Sequence, residues 1–326
     1  MPTYAGVDLG ATHVRAVVGD ESGRVIASRR SETPQGPNGI AVTEAVLETL
    51  RGACSEAGVD PSAVRAVGIG SIGPLDLAEG AIDNPANLPD TIDRIPLTGP
   101  VGELVHSENV YLHNDTTAGV IGERYYSERN PDDMIYLTIS SGIGAGVCVD
   151  GDVIAGWDGN AGEVGHTTVD PQGLMTCGCG IDGHWEAYCS GNNIFRYAQR
   201  LHDEDPVDTS LPLESADFDS ADVFAHANEG DAFAEYVIDQ VNAWNAIAVA
   251  NMVHSFAPLV IYVGGAVTLN NPEWILDPLR ERLDDIVFSN VPDVQLTTLG
   301  DEVVVKGALA SALTGGTGDR SRAPSS

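Results

Sequence analysis

Two stretches of small residues could hold an anion. Asp8-Leu9-Gly10-Ala11-Thr12 delivers a carboxylate from an apolar run into a turn of small residues. Backbone N–H groups in such a turn cradle phosphate oxygens, the Thr12 hydroxyl adds a donor, and Asp8 could hold Mg2+ directly or through water. By itself the stretch also describes an ordinary hairpin. Ser140-Ser141-Gly142-Ile143-Gly144-Ala145-Gly146 alternates three glycines, which allow close backbone approach to an anion. It is not a dinucleotide fingerprint, because no helix follows, and it lacks the lysine of a P-loop; the chain's only lysine is Lys306. Two such turns in equivalent places imply a nucleotide held between two domains.

Two further stretches carry proton-transfer and metal chemistry. Asn114-Asp115 ends an apolar strand and starts an apolar helix. The pair could simply cap the helix, or Asp115 could take a proton from a sugar hydroxyl as a general base. The helix N-terminus weakens that base, which phosphoryl transfer tolerates because it asks mainly for positioning. Between Glu163 and Glu186 lie His166, Cys177, Cys179 and His184. Two thiolates and two imidazoles suit tetrahedral, structural Zn2+, with no open position for a catalytic water. Two buried thiols beside unrelated histidines are the alternative. A zinc-stapled loop could present Glu163 and Glu186 to sugar hydroxyls.

The elements that position these residues follow from periodicity. Strands are expected at 4–9, 14–18 and 25–30, then a helix from Val42 that stops at Gly58, then strands at 64–70 and 110–113 and a helix over 116–126. The pattern restarts with strands at 136–140, 146–149 and 153–155, the last two joined by the tight turn Asp150-Gly151. Each half therefore opens with strand, small-residue turn, strand, turn, strand. A helix at 236–256, a strand at 259–263 ending in Gly264-Gly265, a helix at 273–286 and a small apolar helix at 306–313 follow. Residues 203–222, acidic and proline-containing, read as a surface loop, and 315–326 as a disordered tail.

Composition bounds the setting. The chain has 326 residues, enough for two domains, and 48 acidic residues against 16 basic give a net charge of −32. With 43% hydrophobic residues the acid must coat a folded surface rather than mark disorder. Such self-repulsion fades when molar salt shortens the Debye length to ~3 Å. The expectation is a protein of a salt-rich cell interior that loses fold or activity on desalting. Acidic surface also excludes a nucleic-acid partner. No basic-then-apolar leader opens the chain and no stretch spans a bilayer, so no membrane partner is expected. Five cysteines with one tight pair suit a reducing, cytoplasmic compartment.

Together the four stretches, in order from residue 4 to about 313, closely resemble the ROK family. The resemblance implies an α/β chain with the two-domain actin/hexokinase-like (ribonuclease H-like) ATPase fold and an interdomain active-site cleft. Its expected smaller domain is 1–115 plus about 304–318; the larger, with the zinc loop, is 116–303; and 319–326 is a tail. Asp115 would be the catalytic base. Asn84, Asn87, Asn114, Asp115, Glu163, His166 and Glu186 would bind the sugar, His166 also ligating zinc. Asp8, Gly10, Ala11, Thr12, Ser141, Gly142, Gly144, Gly264 and Gly265 would bind ATP with Mg2+. Gly73-Pro74-Leu75-Asp76 resembles the loop that closes one side of the sugar pocket. His184 stands where the family usually has a third zinc cysteine, Ala11 where it usually has glycine, and Pro89-Asp90 replaces a tryptophan-containing sequence common in family glucokinases. The implied activity is ATP-dependent phosphorylation of a hexose, glucose first, with fructose, mannose or an N-acetylhexosamine as alternatives and a non-catalytic or regulatory sugar binder as the rival. The implied partners are sugar and nucleotide, and the implied assembly is a homodimer or homotetramer.

Overall fold

The computed structural model describes residues 2–85 and 87–323. The chain opens with strands β1 (Thr3–Leu9), β2 (His13–Asp20) and β3 (Val25–Glu32), then helix α1 (Gly39–Ala57) and β4 (Val64–Ser71). Next come β5 (Leu75–Asp76), β6 (Ala81–Asp83), β7 (Arg94–Pro96), α2 (Thr98–Val105), β8 (Val110–Asn114) and α3 (Asp115–Tyr126). The second half begins with β9 (Met134–Ile139), β10 (Ile143–Val149) and β11 (Asp152–Val153). It continues with α4 (Glu186–Cys189), α5 (Ile194–Glu204), α6 (Ser220–Asn228) and α7 (Ala232–Phe256). The chain closes with β12 (Val260–Gly264), α8 (Ala266–Asn270), α9 (Pro272–Ile286), β13 (Asp293–Leu296) and α10 (Val303–Thr314).

Two compact units result. One holds Met1–Tyr136, Gly146–Gly162 and Asp301–Ser326; the other holds Leu137–Ala145 and Glu163–Gly300. The first sheet is ordered β3-β2-β1-β4-β8 and the second β11-β10-β9-β12-β13. Both therefore run third, second, first, fourth, fifth, the recurrence that the two matching openings predict. In the first sheet β1, β2 and β3 are antiparallel while β1, β4 and β8 are parallel. The parallel run brings the C-terminal ends of β1 and β8 to one edge, and these ends carry Asp8 and Asn114-Asp115. A third, small sheet, β5-β6-β7, was not visible in the periodicity because its strands are two or three residues long.

Helix α10 completes the first unit from the far end of the sequence. Its backbone lies so close to the sheet that a Cβ at Gly68 would stand 1.9 Å from the Ala308 carbonyl oxygen, and one at Gly307 would stand 1.8 Å from that of Ala118. Glycine at both places lets α10 seat between β4 and α3. Leu309 and Leu313 fill a core with Tyr4, Ile121 and Tyr125, where each large apolar side chain contributes about 1.5–3 kcal/mol. On the opposite face, α1 stops at Gly58 in a left-handed conformation (φ 68°), its N–H donating back to Cys54 and Ser55.

Three segments differ from the sequence reading. Helix α3 falls in the first unit, whereas residue 116 was expected to open the larger domain; its packing against α10 accounts for this. The acidic stretch 203–222 ends as the start of α6, where Asp219 and Asp222 form a reciprocal capping box. In the expected tail, Arg320–Arg322 form a 3-10 turn capped by Asp319, Asn130 holds the Gly318 carbonyl, and Arg124 holds that of Thr317. Residues 324–326 lie outside the described residues.

Candidate active site

In the first unit the turn between β1 and β2 has its carbonyls taken by neighbours. Thr33 Oγ1 donates to Gly10 O at 2.7 Å, Gln35 Nε2 to Ala11 O at 3.0 Å and Thr33 N to Thr12 O at 2.9 Å. A turn whose acceptors are occupied repels an incoming anion less, which suits a phosphate cradle. Asp8, at its base, is partly buried. Burial lifts its carboxyl to about 7, against the pull of Arg15 and Arg30 and with the push of the Asp115 charge. A carboxylate lifted in this way gains by meeting a cation.

Asn114 and Asp115 sit where β8 becomes α3. Asn114 Oδ1 accepts from Thr116 N and Oγ1 at 3.0 and 2.8 Å, and Asp115 Oδ1 accepts from Thr116 N at 2.7 Å. The pair caps the helix, and capping fixes both side chains at the sheet edge. Behind them His113 Nε2 meets Ser311 Oγ at 2.7 Å, and burial pushes this imidazole down to about 4, so it stays neutral. The small sheet carries Asn84, left-handed at φ 48°, with its N–H on Asp93 O. Arg94 spans Asp83 at 2.7 Å and Asp76 at 3.3 Å, tying the ends of β5, β6 and β7 together. Asn84 and Asn87 are exposed.

In the second unit the turn between β9 and β10 repeats the pattern. Gly191 N donates to Ser140 O at 2.7 Å, Asn192 N to Ser141 O at 3.3 Å and Ser140 N to Gly142 O at 2.9 Å. Here the neighbouring carboxylate is Glu186, whose Oε2 accepts from Ile143 N at 2.9 Å. A Cβ at Gly142 would stand 2.7 Å from that oxygen, so a methyl there would have to displace the Glu186 carboxylate. At the end of β12, Gly265 adopts φ 86° and approaches the Ile139 carbonyl so closely that a Cβ would stand 2.4 Å from it. Beside the β9–β10 turn and the start of α8, wholly within this unit, is a cavity of about 510 Å3 lined by Ser140, Ser141, Phe195, Phe224, Asn228 and Ala266 among others.

The metal-type residues converge. The ligand atoms of His166, Cys177, Cys179 and His184 all lie within 4.8 Å of one another. His166 Nδ1 is 3.7 Å from Cys177 Sγ, and His184 Nδ1 is 3.3 Å from Cys179 Sγ. Tetrahedral zinc with Zn–S near 2.3 Å and Zn–N near 2.0 Å needs an S···N separation of about 3.6 Å, so the donor set fits this ion. The loop is locally built: Gly180 N closes a turn on Cys177 O, and Thr176 Oγ1 binds Asp182 Oδ1 at 2.7 Å. It is anchored by fully buried Trp185, whose Nε1 donates to Asn245 on α7 at 2.8 Å. Glu163 Oε2 lies 3.9 Å from His166 Nε2, and burial holds the Glu163 carboxyl above its ordinary range.

Each unit thus assembles its own share of the sequence-derived residues. The first gathers Asp8, Gly10, Ala11, Thr12, Asn84, Asn87, Asn114 and Asp115. The second gathers Ser141, Gly142, Gly144, Glu163, His166, Glu186, Gly264, Gly265 and the metal quartet. Two features escaped the sequence reading: the bond from Ile143 to Glu186, and the Phe195 and Phe224 walls of the cavity. The Asp219-x-x-Asp222 box before Val223-Phe224 was the available signal for the second.

Paired sheets of one strand order, each opening on a turn with tied carbonyls, define an actin-like ATPase fold. The chain is similar to the ROK hexokinase from Thermus thermophilus, with TM-score 0.81 and 33% identity over 95% of this chain and 97% of that one. It is also similar to a ROK family glucokinase from Streptomyces griseus crystallised with glucose and AMPPNP, with TM-score 0.74 and 30% identity over 95% and 99%. In sequence it is 34% identical to the glucokinase of Pyrobaculum calidifontis over 96% of this chain and 95% of that protein. Residues 4–314 match the ROK family, and the chain belongs to it.

Proposed function

We propose that the chain is an ATP-dependent glucokinase, converting glucose and ATP to glucose 6-phosphate and ADP with Asp115 as general base. The observation that carries this reading is the first unit's edge: Asp115 at the N-terminus of α3, close enough to raise the proton affinity of Asp8 beside the phosphate-type turn. Similarity to glucokinases along nearly the whole chain supports it, as does the glucose and AMPPNP bound in the Streptomyces griseus relative.

In this reading Asn84, Asn87, Asn114, Glu163, His166 and Glu186 hold the sugar hydroxyls. The two turns, with Gly10, Ala11, Thr12, Ser141, Gly142 and Gly144, hold the phosphates through backbone N–H groups, which stabilise charge on the transferred group. The 510 Å3 cavity beside Gly264 and Gly265 takes the nucleoside. Asp8 would hold Mg2+, which would neutralise phosphate charge. Asp115 accepts the proton of the sugar 6-hydroxyl as its oxygen attacks the γ-phosphorus and ADP leaves. His166, Cys177, Cys179 and His184 would hold structural zinc, stiffening the loop that carries Glu163 and Glu186.

The net charge of −32 supports a working enzyme suited to molar salt, and the family resemblance supports a homodimer or homotetramer. Among the described residues no helix is long and apolar enough to cross a membrane. The test is the product: glucose, ATP and Mg2+ in molar KCl should give glucose 6-phosphate by phosphorus and carbon NMR. A phosphate at another carbon would overturn the geometry assigned to Asp115, and no product would overturn the activity.

A further inference from the structure

Between β11 and the end of the first unit's central segment, residues 155–161 form a small closed loop. Ala161 N donates to Ala155 O at 3.1 Å and shuts its base, and Asp158 braces it by accepting from Asn160 N at 3.1 Å. Next to that base, Asn160 turns outward onto β5. Its Oδ1 accepts from Leu75 N at 3.0 Å, and its Nδ2 donates to Leu75 O at 3.3 Å and to Asp158 O at 3.2 Å. One side chain thus serves both backbone groups of Leu75, as a neighbouring strand would.

Two more contacts join the same segments. Gly159, at φ 86°, lies against Leu77, where a Cβ would stand 2.6 Å from Leu77 Cδ1. The empty Cβ position of Gly73 is 3.8 Å from Asn160 Oδ1 and 3.4 Å from Asn114 Nδ2. Asn160 therefore stands beside Asn114 and grips the middle of the 73–76 loop, while Arg94 holds the other end at Asp76.

We infer that Asn160 is a positioning residue: its amide clasps the backbone of Leu75 and sets the 73–76 loop against Asn114 for sugar binding. This rests on the glucokinase reading above and on the resemblance of residues 73–76 to the loop that closes one side of the family's sugar pocket. A hydrogen-bonding pair of this kind outweighs an apolar replacement mainly because Leu75 N–H and C=O would otherwise be left without a partner. Asn160 acts on sugar affinity through Leu75 and touches no reacting atom.

The test compares Asn160→Ala and Asn160→Asp with the wild type in molar KCl. Without ligands, hydrogen exchange at the Leu75 amide should quicken about tenfold in the alanine variant and less in the aspartate variant, which keeps the acceptor. The KM for glucose should rise about tenfold in Asn160→Ala while the KM for ATP holds. Asn160→Asp should fall between. Unchanged Leu75 exchange would overturn the clasp. Faster exchange with an unchanged glucose KM would overturn its role in sugar binding, as would an equal rise in both KM values. A wild type that protects Leu75 yet phosphorylates no glucose would overturn the glucokinase reading, and the sugar role with it.

Discussion

The two turns of small residues share a build but not a neighbour. Both hang between the first two strands of a sheet with the same strand order, and both have their carbonyls held by protein donors. At the first turn the nearby carboxylates are Asp8 and Asp115, with Asp8 carrying a raised proton affinity and facing arginine. At the second the carboxylate is Glu186, already bonded to Ile143 N–H and beside Cys177 of the metal loop. In the proposed reading the repeated backbone holds phosphate at both turns, and the differing side chains divide the remaining work: proton and cation at the first turn, sugar loop and nucleoside at the second.

The largest effect should come from breaking the first turn's chemistry. Asp115→Asn removes the base while keeping shape and the bond from Thr116, so kcat should fall about 10³-fold with glucose and ATP still bound in calorimetry. A kcat within tenfold of wild type would make the two turns equivalent and leave the base elsewhere.

Next is the metal loop, which only the second turn adjoins. Cys177→Ser should lose zinc, read by elemental analysis, and raise the KM for glucose about 10–100-fold while the fold of the first unit persists by circular dichroism. Zinc retained at one equivalent in this variant would show that Cys177 is not a ligand.

Gly142→Ala sharpens the comparison further. The new methyl would press on Glu186 Oε2 and push that carboxylate off Ile143 N at the turn. The KM values for ATP and for glucose should each rise about tenfold, whereas Ala11, already in the equivalent turn, shows that the first turn carries a Cβ. A change in the KM for ATP alone would separate Glu186 from the turn.

The smallest effect concerns stability and pH. Asp8 binds its proton more tightly folded than unfolded, so the native state holds more protons between about pH 4 and 7. Its contribution to stability is full below the unfolded value and is lost as pH rises through about 7. Without added Mg2+, Asp8→Asn should melt a few degrees above wild type at pH 8 and no higher at pH 4. The reverse order would mean that Asp8 is stabilised as a carboxylate.

Much of this was legible in the sequence because it depends on local spacing. The alternating glycines and the Asn114-Asp115 junction are each encoded within a few residues, the two-cysteine, two-histidine loop between 166 and 184, and the recurring strand pattern predicted two related halves with the same opening. What was not legible depends on distant pairings. Ile143 meets Glu186 across 43 positions, Asn160 meets Leu75 across 85, and Arg15 meets Asp301 across 286. The small sheet β5-β6-β7 is too short to show periodicity, and α6 hid inside an acidic run whose capping box outweighs its loop-like composition.

The central claim is that these two turns serve ATP-dependent phosphorylation of glucose. The direct measurement is kcat/KM for ADP release in molar KCl with Mg2+, zinc-loaded protein and a panel of glucose, fructose, mannose, N-acetylglucosamine and N-acetylmannosamine. The account predicts glucose well above the others. A different preferred hexose would contradict the substrate while leaving Asp115 and the turns in place, and no turnover with any sugar would contradict the claim itself.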